Sequence, residues 1–113
     1  MGLDLAVYPL GQFPPFIESH VWLAHTRIGF HRESALFKII MRQLPQIPVP
    51  DQVEISGYFS TYEKRRHDPY GNLLTYVLPK QFEGLTTDDW WNKAILEFLV
   101  SLKPDTKVVL YWH

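Results

Sequence analysis

From Val53 the chain alternates between apolar and polar positions. Val53, Ile55, Gly57 and Phe59 fall on one side, and Glu54, Ser56, Tyr58, Ser60 and Tyr62 on the other. That period of two is the pattern of a strand with one buried face, and it predicts a strand over 53–63. Asp68-Pro69-Tyr70-Gly71 follows, with Asp, Pro and Gly at the first, second and fourth positions of a type I turn. Leu73 to Leu78 then returns as the partner strand, so the pattern predicts a hairpin. Leu3, Leu5 and Val7 alternate with Asp4, Ala6 and Tyr8 in a short first strand. Pro9 to Pro15 reads as a loop, because Gly11, Pro14 and Pro15 break either period. His20 to Ile28, with Val21, Trp22, Thr26 and Ile28, reads as a second strand.

Two stretches carry the helical period instead. Over His31 to Leu44, the residues Leu36, Phe37, Ile40, Met41 and Leu44 share a face opposite Lys38 and Arg42. Glu33 lies on the apolar side, in the first turn, where the helix dipole favours an acid. Pro45 ends this helix, and Pro45, Pro48 and Pro50 make a stiff connector. The second helix has a start signal: Thr86 with Asp89 three residues on resembles a capping box, and Leu85 and Trp90 occupy the staple positions. Trp91, Ile95, Phe98, Leu99 and Leu102 then line one face, and Pro104 stops the helix. Thr106 to Trp112 closes as a strand that is apolar on both sides, which predicts cover on both sides.

Without the first strand, the order is β-α-β-β-α-β. That order predicts a single α+β domain over 1–113, a ferredoxin-like βαββαβ antiparallel sheet with two helices on one face and an extra N-terminal strand. In that topology the last strand lies at an edge. An edge this apolar calls for a neighbour, either Leu3 to Tyr8 or another subunit. The sheet face away from the helices is left without a helix and is expected to be open.

Composition narrows the function classes. The apolar fraction of 46% excludes a disordered chain. Aromatics reach 15% with four Trp, more than a core of two helices and one sheet readily absorbs, so self-association as a homo-oligomer is expected. A net charge of −1 argues against general affinity for nucleic acid or membrane. The absence of cysteine removes disulfides, thiol nucleophiles and thiolate metal sites together. Met1 to Leu5 lacks the order of a signal peptide, and Ala6 stands where myristoylation wants Ser or Thr. The expectation is a cytoplasmic protein.

The candidate chemistry gathers around the predicted hairpin. Tyr58 and Tyr62 lie on its polar face, and Lys64, Arg65, Arg66 and His67 lead to Tyr70 at its tip. Tyrosines on an open sheet beside a cationic tip fit a contact surface for a protein partner, of inhibitor, immunity or adaptor type. The plain reading is a solvated hairpin end, with Glu63 and Asp68 neutralising part of the charge. The alternative is a small phosphodiester-handling enzyme or RNA-binding domain centred on Arg65, Arg66 and His67. There His67 would act as general base with Arg66, Tyr62 and Asp68, or Tyr58, Tyr62 and Tyr76 would stack bases. The basic-Gly-aromatic run of an RNA-recognition sheet is missing, since Gly71 is followed by Asn72, Leu73 and Leu74. His20, His25, His31, His67 and His113 show no metal spacing, and no motif calls for a cofactor. Trp90 and Trp91 lie about 100° apart on a helix, so only one can centre on the core; Trp91 continues the apolar stripe.

Overall fold

The structure, a computed structural model, describes residues 3–12, 22–24, 27–49, 53–56 and 62–113; for 11–12, 22–24, 53–56 and 62–65 it describes the backbone alone. The elements in chain order are β1 (Leu5–Gln12), β2 (Trp22–Ala24), β3 (Ile28–Gly29), α1 (Ser34–Gln43), β4 (Ile47–Pro48), β5 (Val53–Ser56), β6 (Tyr62–Arg65), β7 (Thr75–Val77), α2 (Trp90–Ser101) and β8 (Val108–Trp112). A 3-10 turn, Pro79–Phe82, lies between β7 and α2. No helix of the described residues is long and apolar enough to cross a membrane.

The fold is a small α+β domain built on an antiparallel sheet of five strands, ordered β4-β7-β8-β1-β3. β1 serves two partners on one edge: Ala6 and Val7 pair with β3, while Leu10 to Gln12 pair with β2. From β2 the sheet continues through a parallel pairing to β5 and an antiparallel pairing to β6.

The strand order departs from the ferredoxin-like one. β8 lies inside the sheet between β7 and β1, with all five residues buried. A strand apolar on both faces is stable only where both faces and both edges are covered. β1 meets that need on one edge, with Leu5 opposite Trp112 and Val7 opposite Leu110. The N-terminal strand is therefore central, not an addition at the margin. The strand expected over His20 to Ile28 is two short ones, β2 and β3, each paired to a different half of β1.

The expected hairpin also has different partners. Val53–Ser56 pairs with Tyr62–Arg65, placing Ser56 opposite Tyr62, so the alternation of 53–63 does not run as one strand. β7 pairs with β8 and with β4 instead. The segment read as a proline connector supplies β4, whose Pro48 is tolerated because β4 is an edge strand. The predicted turn is present: the Gly71 amide donates to the Asp68 carbonyl at 3.0 Å, and Gly71 has φ +85°, a conformation that favours glycine.

Both helices cover one face of the sheet. Leu5, Val7, Val77, Val108, Leu110 and Trp112 point from the strands into a core with Leu36, Phe37 and Ile40 of α1 and Ile95, Leu96 and Leu99 of α2. Full burial of a Leu or Ile side chain here is worth about 1.5–3 kcal/mol over exposure. Gln46 closes the end of α1, where its Nε2 donates to the Ile40 and Met41 carbonyls; its Oε1 accepts from the Thr75 hydroxyl of β7.

The opposite face is not the open surface that the element order led us to expect. Ala6, Tyr8, Val109 and Tyr111 are buried there in a second apolar cluster with Leu10, Val49 and Leu74. Tyr8 and Tyr111 meet edge to face at 5.7 Å. With Ala6, Tyr8 and Leu10 of β1 and Val109 and Tyr111 of β8 apolar on this side too, a wet face would leave large rings in water.

Candidate contact site at the start of helix α2

Helix α2 begins at Trp90, and Asp89 is its N-cap. One carboxylate oxygen of Asp89 accepts from the Trp91 amide at 3.0 Å and the Asn92 amide at 2.9 Å. These are two of the first-turn donors that the helix cannot satisfy itself. The capping-box reading placed this role on Thr86, which is exposed; Thr87 has the supporting part, accepting from the Asp89 amide at 3.1 Å. The start lies three residues later than expected because an Asp can cap directly, and this one does.

The buried face of α2 also differs from the predicted one. Its buried residues are Asn92, Ile95, Leu96 and Leu99, at i, i+3, i+4 and i+7. Trp91 and Phe98, expected in the core, are 39% and 46% exposed, and Trp90 is 73% exposed. The reading of Trp91 as a core residue followed hydrophobicity; the position it displaced, Asn92, is fully buried.

Asn92 is the residue the sequence reading missed. Its Oδ1 accepts from the His31 amide at 2.7 Å, and its Nδ2 donates to the His31 carbonyl at 3.0 Å. The same Nδ2 donates to a Glu33 carboxylate oxygen at 3.0 Å, which also accepts from the Thr87 hydroxyl. Asn92 thus ties α2 to the chain just before α1. Glu33 flanks α1 as its N-cap residue, and the helix runs from Ser34 rather than His31. No buried side-chain nitrogen or oxygen among the described residues lacks a partner.

Above this buried clamp lies an exposed aromatic group. The His31 ring stacks on Trp91 at 5.7 Å and 23°, and meets Trp90 edge to face at 6.2 Å. Trp91 is fixed by its indole N–H, which donates to the Gly29 carbonyl at 2.8 Å. His31 Nδ1 lies 3.2 Å from the second carboxylate oxygen of Asp89. The Asn92 backbone amide holds the Asp89 carboxyl below its ordinary value; desolvation works against this, and contact with His31 and the Trp91 amide add to it. An ionised Asp89 carboxylate can only accept, so Nδ1 of His31 is the donor in this contact. Among the described residues, His31 hydrogen-bonds to Asp89 and Asn92 alone. The arrangement is an amphipathic surface of two indoles and an imidazole, with Trp91 held by its indole N–H. Further along the same side of α2, Ala94 and Phe98 continue the exposed apolar stripe.

The residues singled out from the sequence fall at and around the hairpin tip. Arg66, His67 and Tyr70 are exposed beside the turn. Lys64 and Arg65 belong to β6, as does Tyr62; their side chains, and all of Tyr58, lie outside the described residues. Asp68 is buried, and its Oδ1 accepts from the Tyr70 amide at 2.9 Å and the Asn72 amide at 3.1 Å. That carboxylate shapes the turn and has no contact with His67 that would orient it as a base. No group of three or more His, Asp or Glu among the described residues could hold a metal ion.

No protein-family model matches this chain, and no match was found among curated proteins or solved structures.

Proposed function

We propose that this chain is a contact domain that self-associates through the outer face of α2. The observation that carries the reading is the exposure of Trp90, Trp91 and Phe98 along one side of a helix whose other side is fully packed. Large aromatics at the centre of an interface contribute most of its energy. The face is also self-complementary. A two-fold axis across the middle of α2 brings Trp90 of one copy toward Phe98 of the other, with Lys93 facing Glu97, and the small Ala94 lets the helices approach. A net charge of −1 leaves little repulsion between copies.

Sedimentation velocity over a micromolar concentration series tests this. The expected result is a dimer that Trp90→Ser and Phe98→Ser each convert to a 13.3 kDa monomer. A wild-type chain that stays monomeric throughout the series rules the reading out.

A phosphate or RNA contact through Arg65, Arg66 and His67 has one observation in its favour, the joint exposure of Arg66 and His67 beside the turn. Replacing Lys64, Arg65 and Arg66 by Ser and measuring the salt dependence of oligonucleotide binding separates the two readings, since the α2 face carries no comparable charge.

A further inference from the structure

The flank of α1 carries a groove of about 560 Å³ that is independent of the α2 face. Ser34, Phe37, Lys38, Met41 and Arg42 form one wall, at the spacing of a single helix flank, and Leu3 and Arg32 form the other. The volume is that of a small-molecule site. Leu3, Phe37 and Met41 make its lining mainly apolar, and Met41, on the stripe read as core, is 48% exposed.

The charges on the rim are all positive, and they are not equally available. The Arg32 guanidinium is committed to Asp4 by a two-pronged contact, 3.0 Å from Nε and 2.8 Å from Nη2. The Lys38 and Arg42 side chains have no hydrogen-bond or ion-pair partner among the described residues. They stand one helical turn apart, close enough for both to reach a single anion. No acid lines the groove.

We propose that this groove binds a small amphiphile with one anionic head and an alkyl body, a fatty carboxylate in class. The head lies between Lys38 and Arg42, and the body lies on Met41 and Leu3, over the edge of the otherwise buried Phe37. An acidic peptide fits less well, because it needs cations along its whole path and the next one, Arg32, is already neutralised by Asp4.

The test is an amide-detected NMR titration of the whole chain with dodecanoate, kept below its micelle concentration. Dodecyltrimethylammonium and hexaglutamate serve as comparison probes. Dodecanoate should bind saturably at one site, with shifts centred on Phe37, Lys38, Met41 and Arg42. The cationic amphiphile should bind at least about tenfold more weakly, and Lys38→Gln/Arg42→Gln should weaken dodecanoate by a similar factor. Both positions are exposed, so the double variant should melt with the wild type. Met41→Asp, at a half-exposed position, should also weaken binding by placing a like charge under the ligand. Equal binding of the two amphiphiles would overturn the proposal, as would an unchanged affinity in the double variant. Displacement of dodecanoate by hexaglutamate would overturn it in favour of an acidic peptide.

Discussion

Asn92 and His31 are joined by two hydrogen bonds between one side-chain amide and one residue's backbone, at 2.7 Å and 3.0 Å. A carboxamide carries a donor and an acceptor side by side, which matches the amide and carbonyl of one residue. The pair welds the first turn of α2 to the entry of α1, and it sets both the rotation of α2 and the position of the His31 ring.

Asn92→Ala should therefore be costly for a polar residue, on the order of 3 kcal/mol, because it strips partners from the His31 backbone and from Glu33 together. Asn92→Asp should be no better at neutral pH. It restores an acceptor for the His31 amide but sets a carboxylate against the His31 carbonyl and the Glu33 carboxylate. That like-charge pair raises the folded-state carboxyl values, so the variant should regain stability as pH falls. Urea denaturation at pH 7 and pH 4.5 measures both effects.

The rotation of α2 makes adjacent residues behave differently. Leu99→Ala should cost about 2–5 kcal/mol as a core truncation, while Phe98→Ala, at a half-exposed position, should cost less than about 1 kcal/mol. Thermal melts of the two variants in dilute solution decide the matter. Comparable losses would put Phe98 back in the core.

At the cap, Asp89→Ala should destabilise the chain measurably, whereas Thr86→Ala should fall within about 0.5 kcal/mol of wild type. The Asp89 carboxyl is held below its ordinary value, first by the Asn92 amide. A depressed folded value means the unfolded chain binds the proton more readily, so the contribution is present above the ordinary value of 3.8 and is lost as pH falls through the folded value. Asp4, held below its ordinary value first by its hydrogen bond to Arg32, acts in the same direction over the same acid range. Asp89→Asn keeps a good capping group and should lose part of this acid sensitivity.

Much of the architecture was legible in the sequence because period and punctuation agreed. The Asp68–Gly71 turn, the stripe of Leu36, Phe37 and Ile40, and the two-sided burial of β8 all came from local pattern. Pairing came only in part: Leu3 to Tyr8 was one of two neighbours expected for the last strand, and β1 does pair there, but the rest of the strand order is a contest between edges that no local window contains. β1 wins the place beside β8 by offering Leu5 and Val7 on one face and Ala6 and Tyr8 on the other, all buried. The site was legible only in part. Trp90 was read as a staple residue off the core stripe, but Asn92 looks like a surface residue until its partners 61 and 59 positions away are in view. A buried polar residue is revealed by its partners, and these are remote in sequence.

The last prediction concerns His113. Its Nε2 lies 2.9 Å from Arg27 Nη2, and its backbone pairs in both directions with Asp4. A guanidinium can only donate, so Nε2 is the acceptor and the ring is neutral in this contact. Burial pushes the imidazole below its ordinary 6.5; the charge of Arg27 adds to the shift and that of Asp4 opposes it. A lowered folded value means that the unfolded chain takes up the proton first as the solution is acidified. Stability should then be full above about 6.5 and should decline as pH falls from there toward the folded value. His113→Gln keeps an acceptor for Arg27 but cannot charge, so its stability should fall less than that of the wild type between pH 7.5 and pH 5. Urea midpoints across that range give the comparison. Parallel curves for the two chains would show that the Arg27 contact does not depend on a neutral ring.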